Sequence, residues 1–414
     1  MSESSEPRRR ILLADCDAFF VQVARLEDPE GAGRAEFLIV GGSPDGRGVV
    51  TSASYSCRAL GVRSAMPTGQ ALRLCPDAMV APVSRSACSE RSRMVRASLE
   101  TLSPVVQAAS IDEFYLDLTG TERLFHGEAL DDTARRIQAA VFEASAIRVS
   151  IGGGTNRLIA KLAVSRAKPA GVHVVAPGDE AAFVATLELG AIPGIGPSLL
   201  EALRDRGLRS VRDVRTVDPE WLERWFGASR ARWLLARVEG RDTTEVSTRD
   251  SRRSVSSERT FHRDLSADEA LERELLRLTV SVAGALRKEA LRARTITVKL
   301  RSTDFSTRQR SVTVAEAVES EAAIYPLARD LLADLRRRRR GAVRLLGVGL
   351  SNLEEGNRPR QLALFDDGPT APETERDRRL AHTVDDLRAR FGRDAVLPGR
   401  IVRHTRPASL DDDA

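Results

Sequence analysis

The chain has 414 residues, 42% hydrophobic and 30% charged, with 64 Lys+Arg against 59 Asp+Glu and a net charge of +5. That length divides into two to four domains whose cores need no staples. The four cysteines (Cys16, Cys57, Cys75, Cys88) form no CxxC pair and share no ligand spacing with the five histidines, so neither a disulfide framework nor structural zinc is expected and a reducing, cytoplasmic setting fits.

The apolar run Ile11 to Ala14 behind the polar N-terminus is shorter than the roughly 7–15 residues of a signal core or the roughly 20 of a spanning helix, so no membrane association is expected. That run reads as a buried strand delivering Asp15-Cys16-Asp17 at its C-terminal end. Phe37 to Val40, stopped by Gly41-Gly42, and Gly48 to Ser52 read as further strands. Ala71 to Cys75 is helical and ended by Pro76. Ser86 to Leu102 has helical spacing, and Val105-Val106 and Ser110 to Leu118 return to strand. Asp131 to Ser145 is an amphipathic helix opened by two acids that suit its dipole. Arg148 to Ile151 is a strand closed by Gly152-Gly153-Gly154, followed by a helix from Thr155 to Arg166 and a strand from Val172 to Val175. No GK[ST] follows the glycines, so they read as a strand-to-helix turn rather than a phosphate loop. From Asp179 to Val238 short helices punctuated by Gly and Pro replace strands, and the polar stretch from Glu239 to Ser257 reads as a linker.

Beyond it a second α/β module runs through helices Ala267 to Lys288 and Ala322 to Arg337 and strands Thr295 to Arg301, Ser311 to Val314 and Arg344 to Leu350. Residues 351–370 read as mobile, and a polar amphipathic helix lies near Arg376 to Phe391. The charge is uneven: Lys+Arg against Asp+Glu count 31 and 32 over residues 1–245, 22 and 14 over 246–350, and 11 and 13 over 351–414, or −1, +8 and −2. A surplus gathered in one module suits nucleic acid, although an arginine-rich solvated face has the same composition. Arg336 to Arg340 is its densest run, either a DNA contact or a solvated helix end.

Two acid clusters stand out, Asp15-Cys16-Asp17 and the Asp112-Glu113 pair inside Ser110 to Asp117. Adjacent acids in a β-branched and aromatic strand put one of them inward or into a cleft, where it needs a cation or a basic partner. Arginine pairing would satisfy either cluster alone. Together, on strands of one sheet, they could hold two Mg²⁺ ions for phosphoryl or nucleotidyl transfer.

The motifs around these acids are specific. Asp15-Cys16-Asp17-Ala18-Phe19-Phe20, Ala53 to Arg58 with Gly61 to Pro67, Ser110-Ile111-Asp112-Glu113, Asn156 to Lys161, Ala167-Lys168-Pro169-Ala170-Gly171 and Ile192-Pro193-Gly194-Ile195-Gly196 follow one another. In that order they resemble the Y-family DNA polymerases, specifically the bacterial DNA polymerase IV (DinB) group, over about residues 10–365. The resemblance implies an α+β multidomain, right-hand polymerase: a ferredoxin-like palm (10–20 and 82–175), small fingers (21–81) and a helical thumb with a helix-hairpin-helix (176–240). A linker (241–255), an α/β little finger (256–352) and a mobile tail (353–414) follow. It further implies low-fidelity, template-directed translesion synthesis from dNTPs on primer-template DNA, without proofreading, by a monomer that uses two Mg²⁺ ions.

By the same resemblance Asp15, Asp112 and Glu113 are catalytic and metal-binding, with the main-chain carbonyl of Cys16 as a further ligand. Phe19, Phe20, Tyr55, Arg58 and Lys168 bind the nucleotide, Phe20 as a steric gate that clashes with a 2′-hydroxyl. Gly194 and Gly196 let backbone N–H groups approach DNA phosphates. Gln361, Leu362, Leu364 and Phe365 belong to a pentapeptide that binds the sliding clamp (beta subunit). Asp17 matches a family acid that is not a principal ligand, so a structural hydrogen bond is expected of it. Ser56-Cys57 departs from a frequent Glu-Ala, which leaves Cys57 unexplained. The alternatives are a non-catalytic DNA-repair scaffold of the same fold, against which the retained acids argue, and another palm-type two-metal enzyme such as a nucleotide cyclase. The latter has no use for a helix-hairpin-helix or a clamp peptide.

Overall fold

The computed structural model describes residues 9–124, 127–248, 252–338, 340–356, 373–392 and 394–401. The chain divides into two compact units at residue 250. The first contains strands β1 (Ile11–Cys16), β2 (Leu38–Gly41), β3 (Val50–Ala53), β4 (Met79–Ala81), β5 (Val105–Ala108), β6 (Glu113–Asp117), β7 (Val149–Gly154) and β8 (Val172–Val174).

Strand β1 is buried along its whole length at the centre of a five-stranded sheet of order β5-β6-β1-β7-β8, antiparallel to both neighbours. Its unbroken apolar run is what burial on two faces demands. Leu12, Ala14 and Cys16 join Phe114 and Leu116 against the helices Arg85–Glu100 and Leu130–Ser145. Ile11 and Leu13 join Tyr115 against Ala160 and Val164 of the helix Arg157–Ala167. The succession of β1, helix, β5, β6, helix and β7 is ferredoxin-like.

Strands β2, β3 and β4 form a separate small sheet with the helices Tyr55–Ala59 and Thr68–Leu74. Its core explains Cys57: the thiol is fully buried 3.9 Å from the Sγ of Cys75. Burial and that contact push the Cys75 thiol up to about 11, so both cysteines pack as small apolar side chains. Residues 180–238 fold as five short helices around Leu203, Val211, Leu222 and Leu234.

The second unit pairs β9 (Ser254–Leu265), β10 (Leu291–Ser302), β11 (Thr307–Val318) and β12 (Val343–Glu355) in an antiparallel sheet of order β11-β10-β12-β9. The helices Asp268–Lys288 and Glu321–Arg338 cover it.

Several expectations change. Gly152, Gly153 and Gly154 are not a turn; they lie inside β7, opposite Leu13, Leu12 and Ile11. A Cβ at Gly152 would lie 2.2 Å from the Ala160 carbonyl oxygen and the Val164 nitrogen, so the helix Arg157–Ala167 seats directly on the sheet backbone. Strand β6 starts at Glu113, because the N–H groups of Ala109 and Ser110 both turn back to the Glu113 carbonyl. Asp112 therefore ends a turn, which removes the conflict of two adjacent acids within a strand.

The expected linker 241–255 is shorter and partly docked. Val246 is buried beside Ile11 and Leu13, Arg157 donates to the Glu245 carbonyl, and β9 begins at Ser254. The tail from residue 353 is not wholly mobile either. Strand β12 runs to Glu355, and the helix Glu375–Phe391 is pinned through Arg287, whose side chain is 1% exposed. Arg287 pairs with Asp385 at 2.7 Å and Glu321 at 3.0 Å. Glu373 accepts the N–H groups of Glu319 and Ser320. Arg336 is a buried brace to Asp268 and to the Ser266 and Gly341 carbonyls, not a candidate for DNA.

Overpacking predicts that Gly152→Ala lowers the unfolding free energy by about 1–3 kcal/mol or more. Gly399→Ala, where a Cβ meets nothing within 4 Å, should stay within about 0.5 kcal/mol of the parent. Denaturant midpoints of the two variants check both.

Candidate active site

The centre is built by pairing of β1 with β6. Asp15 lies directly opposite Glu113, and the N–H of Cys16 donates to the Asp112 carbonyl at 2.9 Å. Cross-strand partners share a face, so Asp15 and Glu113 continue the row of Leu13 and Tyr115 beneath the helix Arg157–Ala167. That helix supplies Lys161, which hydrogen-bonds Glu113 and stands 3.7 Å from Asp15. Lys168, just past its end, holds the other Asp15 oxygen at 2.7 Å.

Asp15 is 4% exposed. Burial raises its pKa, and the ammonium of Lys168 works against that rise. Burial alone would pull Lys161 down, but the hydrogen bond and charge of Glu113, with Asp15, lift it above its ordinary value. Cys16 is driven well above the usual thiol range by burial and by the charges of Asp112 and Asp15, so only its main chain is available for chemistry.

The carboxylate of Asp112 turns toward Ser110 Oγ at 2.5 Å. Among the described residues no three acid, thiol or imidazole side chains converge on one point. Asp15, Asp112 and Glu113 carry −3 against +2 from Lys161 and Lys168, leaving −1 on a set of oxygen donors. Hard oxygens with surplus negative charge, already drawing ammonium groups onto themselves, fit a hard divalent cation such as Mg²⁺.

Of the expected nucleotide residues, Lys168 contacts this cluster directly and Tyr55 reaches the neighbouring Asp17. Phe20 is half-buried and meets Phe19 edge-on, with ring centroids 5.5 Å apart. Phe19 is 1% exposed and its side chain belongs to the core. It has only a main-chain N–H to offer, at the start of the helix Phe19–Glu27, where such groups lack intrahelical acceptors. Arg58 stacks 5.2 Å from the Tyr55 ring and donates to the Ala53 carbonyl. The Tyr55 hydroxyl donates to Asp17.

Residues 14–165 match the impB/mucB/samB family and residues 252–364 its C-terminal domain. The chain is 35% identical over 390 residues to a DNA polymerase IV of Caulobacter vibrioides, covering 94% of this chain and 93% of the relative. It is 37% identical over 363 residues to a DNA polymerase IV of Alkalilimnicola ehrlichii, covering 86% and 99%. The chain belongs to the DNA polymerase IV group of the Y-family polymerases.

A Y-family chimera of Dbh and Dpo4 superposes with a TM-score of 0.74 at 27% identity, and DinB from Sulfolobus solfataricus with 0.56 at 26%, each covering 83% of this chain and 98% of the other. The architecture is that of a right-hand polymerase: ferredoxin-like palm, small fingers, helical thumb and little finger.

In the helical segment, Gly194 has a φ of +98° and lies against Trp233, where a Cβ would come within 2.5 Å of the indole. A Cβ on Gly196 would meet nothing within 4 Å. Both glycines line a cleft of about 930 Å³ that holds none of the carboxylates. The helices Pro197–Arg204 and Ala228–Val238 both start at it. Gly227 and Ser229 of the second start were not expected there; a glycine between two short helical patterns was the available signal. Lys161 was legible only as a motif letter, since its reach to both acids depends on how the helix lies on β7. Residues 361–365, expected to bind the sliding clamp, lie outside the described residues, as does Arg339. Among the described residues no helix is long and apolar enough to cross a membrane.

Proposed function

We propose that this DNA-directed DNA polymerase of the translesion class adds nucleotides at the end of β1, where Asp15, Asp112 and Glu113 would hold two Mg²⁺ ions together with the Cys16 carbonyl. The observation that carries this reading is the Asp15–Glu113 pairing, a buried acid beside a second acid, with Lys161 and Lys168 as their counter-charges. When bound, the ions neutralise phosphate charge and activate the primer 3′-hydroxyl. Lys168, released from Asp15, and Arg58 orient the triphosphate as charge-assisted donors, and Tyr55 borders it. The 3′-hydroxyl attacks the α-phosphate and pyrophosphate leaves. Phe20 fills the space a 2′-hydroxyl would need. With no editing site assigned, errors persist.

The glycine cleft, with two helix N-termini aimed at it, suits a DNA backbone phosphate read without base contacts. The surplus of +8 over residues 246–350 suits the duplex. The pentapeptide Gln361 to Phe365 would tether the polymerase to the sliding clamp. We place the protein in the cytoplasm as a monomer.

Asp112→Ala and Glu113→Ala should each abolish primer extension while leaving duplex affinity within about twofold, since phosphate contacts dominate that affinity. Normal extension by either variant would sink the assignment. Phe20→Ala should admit ribonucleotides; competing dCTP against CTP opposite template G reads this out, and an unaltered sugar preference would reduce Phe20 to packing. Replacing Leu364 and Phe365 by Ala should leave distributive extension intact and remove stimulation by the clamp. Equal clamp affinity of parent and double variant, measured by titration, would refute the tether.

A further inference from the structure

Asp17 is a buried acid that the reaction does not use, and its surroundings are unusual. It is 4% exposed, yet every group that hydrogen-bonds its carboxylate is neutral. Tyr55 Oη–H donates to Oδ1 at 2.9 Å, the Ala170 N–H donates to Oδ2 at 2.8 Å, and the Ser150 hydroxyl sits astride both oxygens at 2.9 Å. A buried carboxylate without a cation is costly, so its retention calls for positional work.

The three donors come from three pieces of structure. Ser150 belongs to β7. Tyr55 starts the helix that also bears Arg58. Ala170 lies two residues from Lys168 with a left-handed φ of +50°. The main chain of Asp17 is itself fixed: its N–H donates to the Arg148 carbonyl at 3.0 Å, and Gln22 Nε2 donates to its carbonyl at 2.5 Å. A cavity of about 600 Å³ lies beside Asp17, Tyr55 and Ala170. With open space there and Tyr55 38% exposed, the ring rests on Arg58 while the hydroxyl is fixed by its hydrogen bond to Asp17.

We propose that Asp17 is a positioning residue for the nucleotide pocket, aiming Tyr55 from one side and the Lys168–Ala170 segment from the other through its two carboxylate oxygens. The inference rests on the reading of Tyr55 and Lys168 as triphosphate neighbours. A carboxylate lets both groups donate, because it gives each of the two an acceptor oxygen of its own.

Asp17→Asn keeps the shape and offers a single acceptor oxygen; the Ala170 N–H can only donate and takes that oxygen, so the Tyr55 hydroxyl must turn from donor to acceptor and its aim changes. The KM for dNTP should rise about tenfold, equivalent to about 1.4 kcal/mol, with kcat changed much less. Combining Asp17→Asn with Tyr55→Phe should raise KM no further than the larger single change, because the hydroxyl acts only as aimed. An unchanged or lowered KM, a loss confined to kcat, or independent increments would overturn the proposal. If Asp17→Asn does not fold, Ser150→Ala removes one donor and should raise KM in the same direction; no rise overturns the proposal. Asp112→Ala run alongside separates the outcomes. Full activity there defeats the site reading itself, whereas an inactive Asp112→Ala beside an unchanged Asp17→Asn KM defeats this inference alone.

Discussion

Everything at the centre of this polymerase follows from ending a fully buried strand on an acid. Asp15 is the last inward-facing residue of β1 on the side covered by the helix Arg157–Ala167, and burial works against its charge. The fold answers with two ammonium groups, one from that helix and one from the segment that follows it. Lys161 reaches the acids only because glycine at 152 lets the helix backbone approach the sheet backbone. The triple glycine is thus part of the active-site geometry, though it contributes no functional group.

The arrangement stores electrostatic tension in a useful form. On the function proposed above, Lys168 neutralises Asp15 without substrate and meets phosphate when substrate comes, so one side chain serves stability first and binding second. Asp17, two residues on and also buried, is treated differently: the donors that hydrogen-bond its carboxylate are all neutral and come from three separate segments.

The second unit shows how far charge counting goes. The +8 surplus over residues 246–350 is real, yet part of it is internal. Arg287 is closed inside a network with Glu321 and Asp385, and Arg336 inside one with Asp268. These arginines brace helices, and only the remaining positive charge is available to a duplex.

Much was legible in the residues themselves. The apolar run before Asp15 and the alternation of strands and helices up to residue 175 were legible because periodicity is written residue by residue, and the motif order carried the resemblance to the family. Strand β9 was missed because its residues Ser254 to Arg259 are mostly polar, and one exposed face leaves little apolar pattern. The glycines of β7 were misread because only the packed helix above them reveals why a side chain is forbidden there. Phe19 and Phe20 are adjacent aromatics of different burial, one inside the core and one half-buried at its edge, which chain order cannot distinguish. Glu113 lies 48 residues from Lys161, the three donors to Asp17 lie 38 to 153 residues from it, and Asp268 lies 68 residues from Arg336. The sequence by itself determined which acids and bases exist and the family they belong to. Which of them meet was decided by tertiary structure alone, since hydrogen bonds and ion pairs depend on distance in space, which sheet register and helix seating set.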